Sequence, residues 1–418
     1  MTAPQAPRRI TLFSTDIPFP ANRGGRADIW RRVQAMARLG IKVQLISFYD
    51  DVPGKRPEQQ HLDTITACTT DLKLFPVRQG TAAMLSALRK LPSKPWHVAR
   101  RSLAAEDMHQ LCQAVAGFQP DWLWCEGPWC GAIAKAAQQG VQAPMAYRSH
   151  NLEHIYMARQ AAAARRPRDR LAWTLACLGL ERFERQMLRS AQWVFDISCD
   201  DMAFWQTQGI QHISWLAPIA EAALVLDYGV APQAGSVQHD VLFLGNLSTP
   251  NNVRGVEWLL NEIRPLVLAQ RPATQFVVAG SNPGDHVRSL CAAPNVTLLP
   301  NVADALALYR QARVLVNPVR TGSGTHIKAI EMLMMRAPIV TATQGTQGMP
   351  AEVKRLFRVA DTAEAFAQQV LDALAQPTDC WQERALARRL FGVQGLADAL
   401  ASLPASHAGH RLKPADAV

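Results

Sequence analysis

The sequence lacks several features that would place it in a specialised class. The uncharged run LAWTLACLGL at 171–180 is the best candidate for a membrane-spanning segment, but it is bounded by Arg170 and Glu181. It falls well short of the roughly 20 residues that span a bilayer. The start, MTAPQAPRRITLF, has no long apolar stretch with a small-residue cleavage site, so we expect no secretory signal. Its eight cysteines show no paired metal spacing, and we interpret them as reduced thiols. Together these absences predict a cytoplasmic protein.

Positive charge is concentrated in the first half of the chain. The 418 residues carry a net charge of +10, and residues 1–220 hold 27 Lys and Arg against 18 Asp and Glu. This surface is either merely solvated or attracted to an anionic membrane or an acidic acceptor. Nucleic acid is not expected as a partner, because the densest cluster, ARRPRDR at 164–170, has no interleaved aromatics. The membrane hypothesis predicts peripheral binding at the inner membrane face, and loss of vesicle binding when four side chains are neutralised: Arg165, Arg166, Arg168 and Arg170.

Short apolar runs alternate with helical patterns through the N-terminal half. RITLFS, IKVQLISF, DWLWCEG, APMAYRS and AQWVFDIS read as strands, which predicts an α/β fold with a parallel sheet and crossover helices. A single long helix is predicted from Arg170 to Arg189. Apolar residues at helical spacing in it are expected in the core: Leu171, Leu175, Leu178, Phe183 and Met187.

A second β/α series begins after a loop-like stretch near 218–238. DVLFLGN, TQFVVAG, NVTLLP, RVLVNPV and APIVTA read as its strands, with helices near 252–269, near 302–312 and after Gly324. The chain is long enough for two domains of roughly 200 residues each. We therefore expect two Rossmann-like domains, residues 1–220 and 239–380, then closing helices at 381–402 and a loose tail at 403–418.

A glycine turn stands at the end of one predicted strand. In RTGSGTHIKAIEMLMMRAPIV, residues 320–340, Gly322 and Gly324 follow the strand RVLVNPV and precede a helix. The carboxyl ends of strands are where open α/β sheets bind ligands, and the N–H groups of a helix start favour phosphate. The turn is therefore either an anion site or simply a tight structural turn.

Glu331 lies about two turns into that helix, three residues after Lys328. A carboxylate can accept two hydrogen bonds from a pair of vicinal hydroxyls, such as those of a ribose. The alternative is a surface glutamate that pairs with Lys328 across one turn.

These residues resemble a known family. GSGTHIKAIEMLMMRAPIV is similar to the nucleotide-sugar signature of the retaining glycosyltransferases of family 4, which have the GT-B fold: two facing Rossmann-like domains with a deep inter-domain cleft. FLGNLSTPNNVRGVEWL at 243–259 resembles the opening of that family's donor domain. PFPANRGGRADIWRR and YRSHNLEH resemble acceptor-domain segments, and RALARRLFGVQGLADALASL resembles closing helices that often cross back onto the first domain.

The resemblance implies a site for a nucleotide-sugar donor. Glu331 would hold the ribose, and the turn Gly322–Thr325 would face the sugar and its phosphates. Gly24 and Gly25 would let the diphosphate approach the N-terminal domain. His150 and Lys328 are the candidate catalytic residues, although His150, in a turn between serine and asparagine, equally suits local capping. The other expected donor-binding residues are Gly245, Asn246, Arg254, Arg320, Ser323, Gly324 and His326.

Two positions depart from the family pattern. Many members carry a glutamate where this chain has Ser323, so the sequence does not specify the identity of the donor sugar. Many also carry an arginine and a lysine after the first strand of the donor domain, where this chain has Asn246. Arg320, His326 or Lys328 could supply that positive charge instead.

The reaction implied is sugar transfer, with retention of configuration, from a nucleotide-sugar to a glycan or lipid-linked acceptor in surface polysaccharide biosynthesis. No metal or other cofactor is expected, because the Asp-x-Asp motif of metal-dependent sugar transferases is missing from the sequence. The alternatives are a GT-B sugar-nucleotide epimerase and a non-catalytic nucleotide-sugar binding protein. An NAD-dependent enzyme is disfavoured, since neither domain starts with a Gly-x-Gly-x-x-Gly turn.

Overall fold

The computed structural model describes residues 7–21, 24–54, 56–91, 93–164, 166–225, 238–322, 325–376 and 379–404. The chain forms two compact units. Unit 1 contains the described residues up to Pro218 together with those from Val393 onward, and unit 2 contains those from Ile219 to Gly392.

Unit 1 is built around a seven-stranded parallel sheet of order β3-β2-β1-β4-β5-β6-β7. Its strands are β1 (Arg9–Ser14), β2 (Lys42–Asp50), β3 (Asp71–Val77), β4 (Trp122–Glu126), β5 (Met145–Ser149), β6 (Trp193–Asp196) and β7 (Ile213–Trp215). Its helices up to Pro218 are α1 (Gly24–Arg38), α2 (Gln59–Thr66), α3 (Thr81–Lys90), α4 (Trp96–Arg100), α5 (Ala105–Phe118), α6 (Gly131–Gln138), α7 (Glu153–Ala163), α8 (Pro167–Cys177), α9 (Leu180–Ser190) and α10 (Cys199–Thr207).

Central strands of this sheet are buried along their whole length, as expected for a parallel sheet covered by helices on both faces. The five strands predicted for this half are confirmed as β1, β2, β4, β5 and β6. The prediction missed β3 and β7. β3 contains Pro76 and lies at the sheet edge, where a missing N–H is tolerated.

Unit 2 contains a six-stranded parallel sheet of order β10-β9-β8-β11-β12-β13. Its strands are β8 (His239–Leu244), β9 (Phe276–Gly280), β10 (Val296–Pro300), β11 (Ala312–Asn317), β12 (Ile339–Thr341) and β13 (Arg358–Val359). Its helices are α11 (Ala222–Val225), α12 (Pro250–Trp258), α13 (Arg264–Gln270), α14 (Asp285–Leu290), α15 (Ala305–Gln311), α16 (Ile327–Leu333), α17 (Ala351–Lys354), α18 (Ala363–Ala375) and α19 (Ala385–Leu390). A π-helical turn, Leu259–Ile263, joins α12 to α13, and a 3₁₀ turn, Thr343–Thr346, follows β12. The five strands predicted for this half are confirmed as β8 to β12.

The predicted closing segment 381–402 is divided between the two units. α19 belongs to unit 2, whereas the last helix, α20 (Val393–Ala401), belongs to unit 1 and packs on α1. Of the predicted tail, residues 405–418 lie outside the described part of the chain, as does Arg165 of the basic cluster. In the ranges that the structure describes, no helix has both the length and the hydropathy that a membrane span requires.

The single long helix predicted from Arg170 to Arg189 is wrong. Two helices, α8 and α9, occupy this stretch and are separated at Gly179, whose φ of +70° is left-handed. Leu171, Leu175 and Leu178 are not in the core but 60%, 51% and 58% exposed. The helical spacing was real, but it describes a stripe that faces solvent.

Candidate functional site

The carboxyl ends of the parallel strands in unit 2 meet at one edge of its sheet, the edge at which open α/β sheets bind ligands. Gly245 and Asn246 follow β8 there, and Gly322 follows the neighbouring strand β11 after a four-residue connection. The side-chain oxygen of Asn246 accepts hydrogen bonds from the backbone N–H and the hydroxyl of Ser248, at 3.0 and 2.7 Å. These two strand-end turns frame the candidate site.

Two glycines bring neighbouring backbones together at this edge. A Cβ atom on Gly280, the last residue of β9, would lie 1.6 Å from the carbonyl oxygen of Gly245, and the φ of Gly280 is +153°. A Cβ on Gly245 would lie 3.0 Å from Nδ2 of Asn252. The contact holds the turn after β8 in place. Sequence reasoning missed Gly280, although a glycine at the end of a strand signals close backbone approach.

Both predicted arginines of this site are exposed. Arg254 donates to the side-chain oxygen of Asn251 at 2.5 Å and to the hydroxyl of Thr321 at 3.2 Å, and so links α12 to the turn after β11. The guanidinium of Arg320 lies over the ring of Trp258, 4.3 Å from its centroid. Arg254 is therefore held at the glycine turn, whereas Arg320 is stacked on an indole of α12.

The glycine turn is described up to Gly322 and again from Thr325, which is partly buried. A Cβ on Gly322, whose φ is +155°, would lie 3.3 Å from Nε2 of His326. Burial, and then the charge of Lys328, lowers the pKa of His326 to about 4. The imidazole is therefore neutral at pH 7, with one donor and one acceptor nitrogen. Two predicted site residues lie outside the described part of the chain: Ser323 and Gly324.

Lys328 lies in the first turn of α16 and is partly buried. Its ammonium donates to the side-chain oxygen of Asn252 at 2.7 Å and lies 4.6 Å from the ring centroid of Phe243. Both partners are neutral, and burial lowers the pKa of Lys328 to about 7. A lysine in such surroundings gains from the approach of an anion, because the anion favours the charged form.

Glu331 lies one turn beyond Lys328 and is buried, with 7% of the residue exposed. Its carboxylate oxygens accept hydrogen bonds from the backbone N–H groups of Glu221 and Ala222, at 2.9 and 3.3 Å. The alternative of a surface glutamate is therefore wrong. The carboxylate is therefore held in place by backbone groups that lie far from it in the sequence.

In unit 1, Gly24 and Gly25 are the first residues of α1 rather than part of the loop before it. Both are exposed, and a Cβ atom on either would meet nothing within 4 Å. The amino end of α1, which follows the connection from β1, therefore presents an open backbone surface. Unpaired N–H groups at such a helix start favour negative charge.

His150 directly follows β5, at the edge where β4 also ends. Its Nε2 lies 2.7 Å from Oε2 of Glu126, the last residue of β4, and its Nδ1 lies 3.7 Å from Oδ2 of Asp28. These partners come from β4 and α1, so the ring is held by distant carboxylates rather than serving only as a local cap. The side chain remains 18% exposed, which leaves it within reach of a ligand.

Glu126 is the centre of a buried charge network that sequence reasoning missed. Its Oε1 accepts hydrogen bonds from Nε of Arg32 at 2.9 Å and from the indole N–H of Trp124 at 2.8 Å. Arg32 also forms an ion pair with Asp28. Burial acts to raise the pKa of Glu126, but the charge of Arg32 and the hydrogen bond with His150 outweigh it and lower the pKa to about 2. The available signal was a glutamate ending the otherwise apolar strand WLWCE.

Both units match known GT-B structures. HepE of Anabaena, solved in complex with UDP and glucose, is 13% identical, with 95% of this chain and 100% of that chain covered at a TM-score of 0.58. Sucrose-phosphate synthase of Thermosynechococcus elongatus is 16% identical, with 94% and 96% covered and a TM-score of 0.59. At these identities the likeness establishes the fold. The chain has the GT-B type of α/β fold, with two Rossmann-like parallel sheets.

The family match lies in unit 2. Residues 238–376 match the family described as Glycosyl transferases group 1, a range that includes every candidate site residue of this unit. A curated relative from Klebsiella pneumoniae, named "Uncharacterized 44.6 kDa protein in cps region", is 23% identical over 375 residues, covering 87% of this chain and 90% of the relative. The match to this family therefore covers unit 2, whereas the GT-B type of fold is shared by both units.

Proposed function

We propose that this protein transfers a hexosyl or related sugar from a nucleotide-sugar donor to a glycan or lipid-linked acceptor, with retention of configuration. One observation carries the proposal: α16 presents a partly buried lysine with neutral partners and, one turn later, a buried carboxylate, at the strand-end edge of unit 2. A diphosphate supplies the anion that Lys328 gains from, and a ribose supplies hydroxyls for Glu331.

In the transfer, the bond between the anomeric carbon and the diphosphate oxygen breaks, and the acceptor hydroxyl oxygen bonds to that carbon. The hydroxyl proton is released, and the nucleoside diphosphate leaves with the bonding electron pair. Negative charge develops on the diphosphate, so donors fixed near it lower the barrier. Lys328 and Arg254 are the side chains we assign to this role.

Residues of unit 1 are assigned by the family resemblance together with their local geometry. We assign His150 to a hydroxyl or the leaving oxygen of the donor sugar, since Glu126 fixes its ring while part of it stays exposed. Gly24 and Gly25 are assigned to the diphosphate, because the amino end of α1 is open and favours anions.

The comparisons support a donor class and a pathway. Related structures contain UDP, UDP with glucose, or UDP-glucose, which supports a nucleotide-sugar donor. The cps region named for the Klebsiella relative supports a role in surface polysaccharide biosynthesis. The excess positive charge of residues 1–220 supports attraction to an anionic membrane, at which a lipid-linked acceptor would reside.

The decisive experiment begins with thermal unfolding of the intact protein in the presence of UDP-, GDP- and other nucleotide-sugars, because a ligand of the folded state raises the melting temperature. Stabilisation by one donor, abolished in Glu331→Ala but kept in the control Glu352→Ala, is the expected result. Glu352 is an exposed carboxylate of the same unit. Equal stabilisation of both variants would remove the ribose role of Glu331.

Product analysis then separates the reaction classes. A glycosyltransferase releases nucleoside diphosphate and couples the sugar to an added acceptor, and NMR of the new linkage reports whether configuration is retained. An epimerase instead converts the donor into a second nucleotide-sugar without an acceptor. Binding without turnover of the donor in any assay would identify a non-catalytic binding protein and contradict the proposal.

A further inference from the structure

Two helices of unit 1 expose almost all of their apolar side chains. α3 buries only Ala87 and α8 buries only Ala176. Seven of the eleven large hydrophobic residues that are exposed in the described part of the chain lie on these helices or directly after them. They are 36% to 60% exposed: Met84, Leu85, Leu88, Leu91, Leu171, Leu175 and Leu178.

Six of these side chains form one stripe on each helix, and Leu85 adjoins the stripe of α3, three residues before Leu88. The positions 84, 88 and 91 and the positions 171, 175 and 178 share the same spacing of four and then three residues, which keeps them on one helical face. α4 contacts α3 as well as α8, so the two stripes lie on neighbouring parts of the unit. We call them together the α3/α8 surface.

The inner side of α8 is already packed. Ala176 lies in a small apolar cluster with Met157 and Leu180, and Trp173 and Cys177 pack against it. The helix therefore has a defined inward face, and its leucine stripe is a second apolar face turned to solvent. Exposed apolar stripes of this kind are typical of an interaction site.

Positive charge flanks the α3/α8 surface. Between Asp71 and Glu106 the chain contains no acidic residue and seven Lys and Arg. Arg166, Arg168 and Arg170 stand at the start of α8 and are exposed. The acidic residue beside them, Asp169, lies 3.4 Å from Arg168 in an ion pair. The surface therefore combines apolar stripes with a strongly cationic border.

We propose that the α3/α8 surface docks unit 1 onto an anionic lipid bilayer, with the leucines inserted among the acyl chains and the cations at the headgroups. Such a bilayer supplies both chemistries at once. A second copy of the chain does not, since a two-fold contact would set each cationic border against its own copy. The inference deepens the proposed function and rests on it, because the lipid-linked acceptor belongs to that proposal. Vesicle binding itself requires neither donor nor transfer.

The test is flotation of the intact protein with vesicles of phosphatidylglycerol and phosphatidylcholine, and with phosphatidylcholine alone. Wild-type protein should bind the anionic vesicles, and salt should weaken but not abolish binding, because it screens the charges and leaves the apolar contribution. The combined variant Leu85→Gln, Leu88→Gln, Leu171→Gln and Leu175→Gln keeps every charge. It should bind about tenfold more weakly or worse, since burying even one leucine favours transfer by about that factor.

The matched control places the same change on unit 2, where Leu266 and Leu386 are 37% and 43% exposed. Leu266→Gln with Leu386→Gln should bind vesicles like wild type. A separate variant that removes charge, Arg166→Gln with Arg168→Gln and Arg170→Gln, should bind more weakly than wild type and with less sensitivity to salt. Melting temperature and stabilisation by UDP should be unchanged in all variants, which separates a failed surface from a failed donor site.

Three outcomes would overturn the proposal. Wild-type protein that binds neither kind of vesicle has no lipid-docking surface. Equal binding of the four-leucine variant and wild type would show that the stripes do not insert. A wild-type dimer that the four-leucine variant dissociates, without any vesicle binding, would assign the surface to a second copy.

Discussion

The charge of Lys328 should decide how tightly the candidate site holds a diphosphate, and pH provides a direct test. Burial lowers the pKa of this lysine to about 7 from an ordinary value of 10.5. Above pH 7 the unliganded protein therefore favours the neutral amine. A bound diphosphate favours the ammonium, so binding must draw a proton onto the lysine. The affinity is expected to fall as the pH rises.

The size of the effect follows from the same pKa. With a pKa of about 7, about half of the lysine is charged at pH 7 and roughly 3% at pH 8.5. If the ammonium form alone binds, and the pKa in the complex returns to its ordinary range, affinity falls about 16-fold over this interval. The proton uptake should approach one per ligand at the upper end.

Isothermal titration calorimetry with UDP measures both quantities, the affinity at each pH and, from buffers of different ionisation enthalpy, the protons taken up. Lys328→Arg is the matched control, because a guanidinium stays charged throughout the interval, and its affinity should be flat. Lys328→Met should bind weakly at every pH. An affinity for wild type that does not change with pH, or an equally steep fall in the arginine variant, would refute the reasoning.

Three further predictions concern other parts of the two units. Glu331→Gln should weaken UDP binding about tenfold in calorimetry, because a charge-assisted hydrogen bond to the ribose is lost; unchanged affinity would contradict that contact. Gly280→Ala should lower the free energy of unfolding by about 3 kcal/mol or more in urea titration, since its Cβ would lie 1.6 Å from the Gly245 carbonyl oxygen. Gly284→Ala, whose Cβ would meet nothing within 4 Å, should stay within about 0.5 kcal/mol of wild type, and equal losses would show that crowding is not the cause. The pKa of Glu126 is lowered to about 2, so the stability that its carboxylate contributes is complete above the ordinary carboxyl pKa and is lost as the pH falls towards 2. Between about pH 5 and about pH 3, the free energy of unfolding measured in urea titrations should therefore fall less for Glu126→Gln than for wild type. Equal decreases would exclude this linkage.

The fold could be predicted because parallel strands buried on both faces leave a strong pattern. Ten of the runs predicted as strands are strands in the structure, since short continuous apolar segments between helical stretches are typical of strands buried on both faces. The prediction failed where burial did not follow the pattern. Pro76 obscured the edge strand β3, and the leucines of α8 have core spacing but face solvent.

The position of the candidate site could also be predicted, but its contacts could not. A glycine turn after a strand places Gly322 and Lys328 at the ligand-binding edge from local sequence alone. Glu331, in contrast, is held by backbone groups 110 and 109 residues away, and Glu126 meets His150 across two strands. Such pairs depend on how distant segments fold together, which no local pattern encodes.

The hydrogen bonds from Glu221 and Ala222 fix the Glu331 side chain before any ligand arrives. A free glutamate must give up rotamer freedom when it grips a ligand, at a cost of about 1 kcal/mol. Here that entropy is already lost when unit 2 folds. For the proposed nucleotide ligand, a carboxylate fixed in this way would lose less entropy on binding, and more of each hydrogen bond would appear as affinity.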